Sequence, residues 1–217
     1  MATITVTEKL QLRPTGYFLD KLVAHKMSSL TECGAPELTL ESDWLNTFIL
    51  NNLSCDISSE KRSYLFNLIR LAEGAFVAYR EARSALINYV ATPSNVISPY
   101  FRSLLFFEVC LSQLWQGCEL YMKAGRKAGI EDVRVFTRAD NSSTERLWKI
   151  HTEGFKHMAT QIEAGRIPTS ATANVWITNH GLEGICESGL SSLSFNELVE
   201  ELVSLGELAG KMSRFES

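Results

Sequence analysis

The chain has 217 residues and a formal net charge of −4, from 21 Lys and Arg against 25 Asp and Glu. With 45% apolar and 21% charged residues the composition is globular, which excludes intrinsic disorder, collagen-like repeats and an acidic tail. The acidic balance also excludes a protein that holds nucleic acid by bulk charge, so any such contact must come from a local basic patch.

At about 100–200 residues per domain, the length predicts a single domain over 1–217. The five cysteines are odd in number and form no Cys-x-x-Cys pair, which argues against a disulfide framework or a zinc knuckle. Cys110 and Cys118 sit in apolar runs and read as small buried hydrophobes. The N-terminus has no basic start followed by an apolar stretch, and no run of about 18 apolar residues occurs anywhere. The expectation is a soluble cytoplasmic protein in a reducing compartment, with no membrane partner.

In chain order, Thr3, Ile4, Thr5, Val6 and Thr7 alternate with period two and predict a short strand. Helical spacing of Phe18, Leu19, Leu22, Val23 and Met27 predicts a helix over 15–30, and Gly34 and Pro36 mark a loop over 31–40. A short helix is expected over 42–53, with Leu45, Phe48, Ile49 and Leu53 on one face and Trp44 at its edge. The strongest signal runs from Ser58 or Ser59 to about Val90. It has no Pro and one Gly, and its apolar stripe includes Leu68, Ile69, Ala72, Phe76, Tyr79 and Leu86.

Residues 91–95 stop that helix, and Pro99 opens a second long one to about Ala124, in the first turn, where its missing N–H costs nothing. This second helix is apolar almost all round and is expected at the centre of the core. Residues 126–141 read as a connector in which Val133, Val135 and Phe136 could extend. A capping box at Ser142 and Glu145 starts a third core helix, expected to continue to about Ala164. After a loop over 168–173, residues 174–178 predict a short strand and 179–181 a turn. A second capping box, Ser194 with Glu197, opens a final helix with Leu198, Leu202 and Leu205. The fold class is therefore all-α: an antiparallel helical bundle with minor short β-strands.

The third core helix carries the residues with chemistry. Arg146, Lys149, His151, Lys156 and His157 fall within twelve positions. A guanidinium grips phosphate oxygens with a planar fork, and an imidazole that titrates near neutrality moves a proton on or off a ribose oxygen. Arg146, Lys149 and Lys156, with the patch Lys123, Arg126 and Lys127, are the basic groups best placed to meet a phosphate. On a straight helix, positions five apart differ by about 140° and positions eleven apart by about 20°, but the latter lie ~16 Å apart along the axis. Neither Arg146 with His151 nor Arg146 with His157 can hold one phosphate from a straight helix. A site needs a second protomer or a bend near Gly154.

The Arg-x4-His spacing of Arg146 and His151, late in a bundle after two long helices, resembles the HEPN family over about 58–164. The resemblance implies a metal-independent RNA-cleaving or RNA-binding protein of the prokaryotic defence or toxin–antitoxin type, with no cofactor. It implies Arg146 as the phosphate-binding arginine and His151 as the catalytic histidine, with His157 as a rival in the loose echo Lys156-His157. It also implies a homodimer, RNA as partner, and a cognate antitoxin or other protein. Leu147 stands where that family often has a polar residue.

Other readings compete. The same bundle without chemistry is a protein-interaction module, in which Arg146, Lys149, Glu153 and Lys156 form a solvated face. Glu108, Ser112, Trp115 and Glu119 share one helical stripe, read either as a polar line along a cleft or, preferred, as a buried ion pair of Glu108 with Arg80 or Arg83. A di-metal bundle is excluded because no Glu-x-x-His occurs.

Overall fold

The computed structural model describes residues 19–20, 23–40, 43–53, 57–91, 96–127, 139–166 and 173–214. The strand expected at 3–7 and the extended piece at 133–136 lie outside these residues. Within them the fold is mostly helical, with six α-helices and one small antiparallel sheet. Among the described residues no helix is long and apolar enough to cross a membrane.

Two long helices, α2 (Ser59–Ala91) and α3 (Ser98–Lys127), follow α1 (Trp44–Asn52) and lie side by side. The short connection between them makes them antiparallel neighbours. α2 buries Leu68, Ile69, Ala72, Phe76, Tyr79 and Leu86, the stripe that the sequence periodicity marks. The buried Ser103 hydroxyl donates to the Ala82 carbonyl at 2.8 Å, which satisfies it against α2. Tyr79 meets Phe107 edge-on at 6.1 Å, and Phe107 stacks on Phe195 at 5.3 Å, so aromatic contacts run from α2 through α3 to the last helix.

α3 is not enclosed on all sides. It packs against α2, the last helix and the segment that follows residue 142, but leaves Phe101 and Leu105 44% and 55% exposed. The first helices also differ from expectation. Residues 23–30 form turns and a single 3-10 turn, Met27–Ser29, because Lys26 adopts a left-handed backbone and Asp20 accepts from the Ser28 N–H and hydroxyl. In α1, Trp44 is an anchor and not an edge residue: it and Phe48 are buried, while Ile49 and Leu53 are exposed.

The third core helix is not continuous. It divides into α4 (Ser143–Lys149), a π-helical stretch (Ile150–Lys156) and α5 (Met158–Glu163), with a break at His157. The His157 N–H reaches back five residues to the Thr152 carbonyl at 2.9 Å, the hydrogen bond of a π turn. Tertiary contacts explain the widening. Ile150 is fully buried, the Glu153 carboxylate accepts the Glu187 N–H, and a Cβ on Gly154 would stand 2.6 Å from Val175 Cγ2. The Ser142 box is half formed: Ser142 Oγ accepts from the Glu145 N–H at 3.2 Å, but the Glu145 carboxylate turns to the Ala139 and Asn141 N–H groups instead.

The strand expected at 174–178 is β1 (Val175–Ile177), and it belongs to a meander with β2 (Gly181–Cys186) and β3 (Gly189–Ser194). Trp176 pairs with Glu183, and Glu183 with Ser192, across one face. The segment before α1 covers that face: His25 meets the Trp176 ring edge-on at 5.1 Å, and Lys26 Nζ pairs with Glu183 at 2.9 Å. The full Ser194–Glu197 capping box then opens α6 (Phe195–Ser213), as the sequence predicts.

α6 meets α1 and α2 at Gly206, where a Cβ would stand 2.8 Å from the Trp44 ring and 2.9 Å from the Phe76 ring. Those rings are already locked edge-to-face at 4.9 Å and cannot both retreat. Gly206→Ala should therefore lower the unfolding free energy by about 1 kcal/mol or more despite its better helix propensity, a loss that urea denaturation reads directly.

Candidate functional site

The π-helical stretch lies between α3 and the sheet, and it distributes the polar residues of 142–157 into two separate concavities. The first, a cleft of about 440 Å³, opens between α3 and the stretch. One wall is the α3 stripe of Glu108, Ser112, Trp115 and Glu119, which recurs every three to four residues and so faces one way. The other wall is Trp148, His151, Thr152, Phe155 and Lys156.

The preferred sequence reading of Glu108 is corrected here. Arg80 donates to the Leu40 carbonyl at 2.6 Å and Arg83 to the Ala35 carbonyl at 2.9 Å, because both arginines are engaged with the 35–40 segment. Glu108 instead points along the cleft, and neither it nor Glu119 has an ion-pair partner within 4 Å among the described residues. Burial pushes the Glu108 carboxyl above the usual carboxylate range.

His151 is half-buried. Desolvation lowers its pKa from the ordinary value, the Lys156 ammonium lowers it further, and the Glu119 carboxylate opposes both. The imidazole is therefore neutral at pH 7, with a cation and an anion acting on it. Its Nδ1 lies 3.5 Å from the Thr152 hydroxyl.

The second concavity, of about 670 Å³, lies on the sheet side and takes Arg146 and Lys149. Every cation there is matched within the chain: Arg146 with Glu197, Lys149 with Glu145 at 3.2 Å, and Lys26 with Glu183. Arg146 also donates to the Asn141 carbonyl, so its guanidinium braces α4 against the first turn of α6. Burial opposes ionisation of Glu197, but the Ser194 N–H and hydroxyl and the Arg146 guanidinium overcome it and hold the carboxyl below the usual range.

The candidate residues thus separate. His151 and Lys156 share the bundle cleft, Arg146 and Lys149 line the other concavity, and His157 is exposed and lines neither. Of the basic patch, Lys123 and Arg126 are exposed on α3. The sequence pattern did not single out Trp148, Thr152 or Phe155 as cleft residues; their signal is the i, i+3/i+4 run from Trp148 that π winding brings around to α3. Among the described residues no group of three or more His, Cys, Asp or Glu is placed to hold a metal ion. No family model, curated protein or solved structure matches the chain.

The Arg146–Glu197 brace has a pH signature. A carboxylate whose folded pKa is depressed contributes stability that is complete above its unfolded pKa and is lost as pH falls through the folded one. Glu197→Gln should lower stability at pH 7 by about 1–3 kcal/mol and flatten the loss of stability below pH ~4.5, as read by denaturation at stepped pH.

Proposed function

We propose that the chain is a HEPN-like helical protein that cleaves single-stranded RNA without metal, using the bundle cleft and not an Arg146–His151 pair. The observation that carries this reading is the convergence of His151, Glu119 and Lys156 in one cleft, with the imidazole held neutral.

A neutral imidazole takes the proton of a ribose 2′-hydroxyl as the 2′-oxygen bonds to phosphorus. The Glu119 carboxylate stabilises the imidazolium that forms, and the Lys156 ammonium stabilises charge on the phosphoryl oxygens. The P–O5′ bond breaks, and the departing oxygen takes a proton from water. The hydroxide left behind returns His151 to its neutral form. The products are a 2′,3′-cyclic phosphate and a 5′-hydroxyl. Trp148, half-buried on the cleft wall, offers π surface to a base, and Trp115 backs the opposite wall from the core.

The resemblance extends the proposal to a cytoplasmic homodimer of the defence or toxin–antitoxin type. The free thiols of Cys33, Cys110, Cys118 and Cys186 suit a reducing compartment. The exposed Phe101 and Leu105, on the α3 face that continues to Glu108, suit assembly beside the cleft. A second reading, a non-catalytic interaction module, is favoured by one observation: Arg146 is spent on Glu197.

Cleavage of single-stranded RNA in chelator separates these readings. His151→Ala should lower the rate about 100-fold or more, and Arg146→Ala should leave it within about threefold while lowering stability. Equal activity in wild type and His151→Ala, or no activity at all, would leave the interaction module standing. The rate should fall as pH drops through an apparent pKa on the acid side of 6.5. Because the ammonium depresses that pKa and the carboxylate raises it, Lys156→Met should move the midpoint up and Glu119→Gln should move it down.

A further inference from the structure

The proposed chemistry occupies the Glu119 end of the cleft and leaves its other end unexplained. Along α3, eleven residues separate Glu108 from Glu119, which places their backbones ~16 Å apart, a length of two to three nucleotides. Glu108 is half-buried on that stripe, and no hydrogen bond or ion pair engages its carboxyl among the described residues. Between the two ends stand Ser112, whose oxygen accepts from Gln116 at 2.9 Å, and the Trp115 ring.

We propose that the Glu108 end is a base-recognition subsite selecting a nucleobase that carries an exocyclic amino group (cytosine, adenine or guanine) over uracil. This deepens the reading above and rests on it. A carboxylate only accepts hydrogen bonds. Amino N–H groups of a base satisfy it, as carboxylates do when they accept from cytosine N4. Uracil has no amino group: a carbonyl oxygen takes its place, and its single donor, N3–H, is flanked by two carbonyl oxygens, so a carboxylate that reaches it meets an acceptor on either side in a desolvated site. Burial disfavours the ionised carboxyl of Glu108, and a donor from the ligand would offset that cost where no donor among the described residues does. The aromatic wall adds stacking without preference among bases, and discrimination therefore falls to Glu108.

The test is binding, without turnover, of fluorescent hexanucleotides that lack every 2′-hydroxyl. Five positions are uracil and one is uracil, cytosine, adenine or guanine. Wild type should bind each amino-bearing hexamer at least about fivefold more tightly than the all-uracil one. Glu108→Gln keeps the shape but adds an N–H donor that a uracil oxygen accepts, and should bring the ratio to within about twofold. Glu119→Gln should retain the preference. Binding with no base preference, or a preference unchanged in Glu108→Gln, would overturn this subsite while leaving the RNA reading intact. No binding of any hexamer would remove both.

Discussion

The wedge of residues 150–156 between α3 and the sheet governs everything that can happen on this molecule. Three contacts fix it: Ile150 in the core, the Glu153 carboxylate on the Glu187 N–H, and Gly154 against Val175. Glu153 is 9% exposed, so losing its backbone partner would leave a buried acceptor unsatisfied, a cost of about 1–3 kcal/mol or more for a charged group. Any side chain on Gly154 would push the stretch off β1. With its sheet side pinned in this way, the opposite side of the stretch must face α3, and that side carries His151, Thr152 and Lys156. The wide winding of the stretch follows from these contacts and not from local propensity. Single π turns often lie where function is concentrated, and here Arg146 and His151, already about 140° apart around a regular helix, open onto opposite sides of the wedge.

Charge divides along the same wedge. On the sheet side, three cations and their carboxylates close on one another: two pairs join separate elements, α4 with α6 and the 26–29 turn with β2, and the third lies within α4. Such pairs are partly exposed, so their contribution is that of positioning more than of bulk stability. On the bundle side, Glu108, Glu119 and Lys156 line a cleft without closing ion pairs among the described residues. Groups that are internally satisfied have little left to offer a ligand, whereas desolvated groups without partners gain when one arrives. This asymmetry, more than cavity size, distinguishes the two concavities. The larger one is the one already neutralised.

Much of the architecture is legible in the sequence because it is encoded locally. The stripe from Leu68 to Leu86, Pro99 at the start of α3 and the Ser194–Glu197 box each specify an element within one or two turns, and the structure keeps them. The π stretch is not legible, since residues 142–164 have ordinary helical periodicity and what widens them is Glu187 and Val175, which come from the sheet. β2 and β3 escape for a related reason. Gly181, Gly184, Ser188, Gly189, Ser191 and Ser192 dilute the β-branched alternation that marks a strand, and their pairing depends on β1 and on the cover from 23–34. For Glu108, the sequence defines the stripe but not what faces it. Choosing the arginines required knowing that Arg80 and Arg83 are already occupied by the 35–40 carbonyls.

The net charge of −4 takes on a different meaning once the pairs are placed. A phosphate chain approaching this surface meets no broad positive field, so its affinity must come from short-range contacts in which water is displaced and donors meet acceptors. A carboxylate-rich cleft is then compatible with nucleic acid only if the carboxylates face bases and the cations face phosphates. Lys156 is exposed at the cleft rim while Glu108 and Glu119 are half-buried on the α3 wall, which is that arrangement. It also explains why Arg146, the most obvious phosphate ligand in the sequence, need not be one. Its fork geometry suits the Glu197 carboxylate equally well, and at the first turn of α6 that carboxylate is held by the Ser194 N–H and hydroxyl as well.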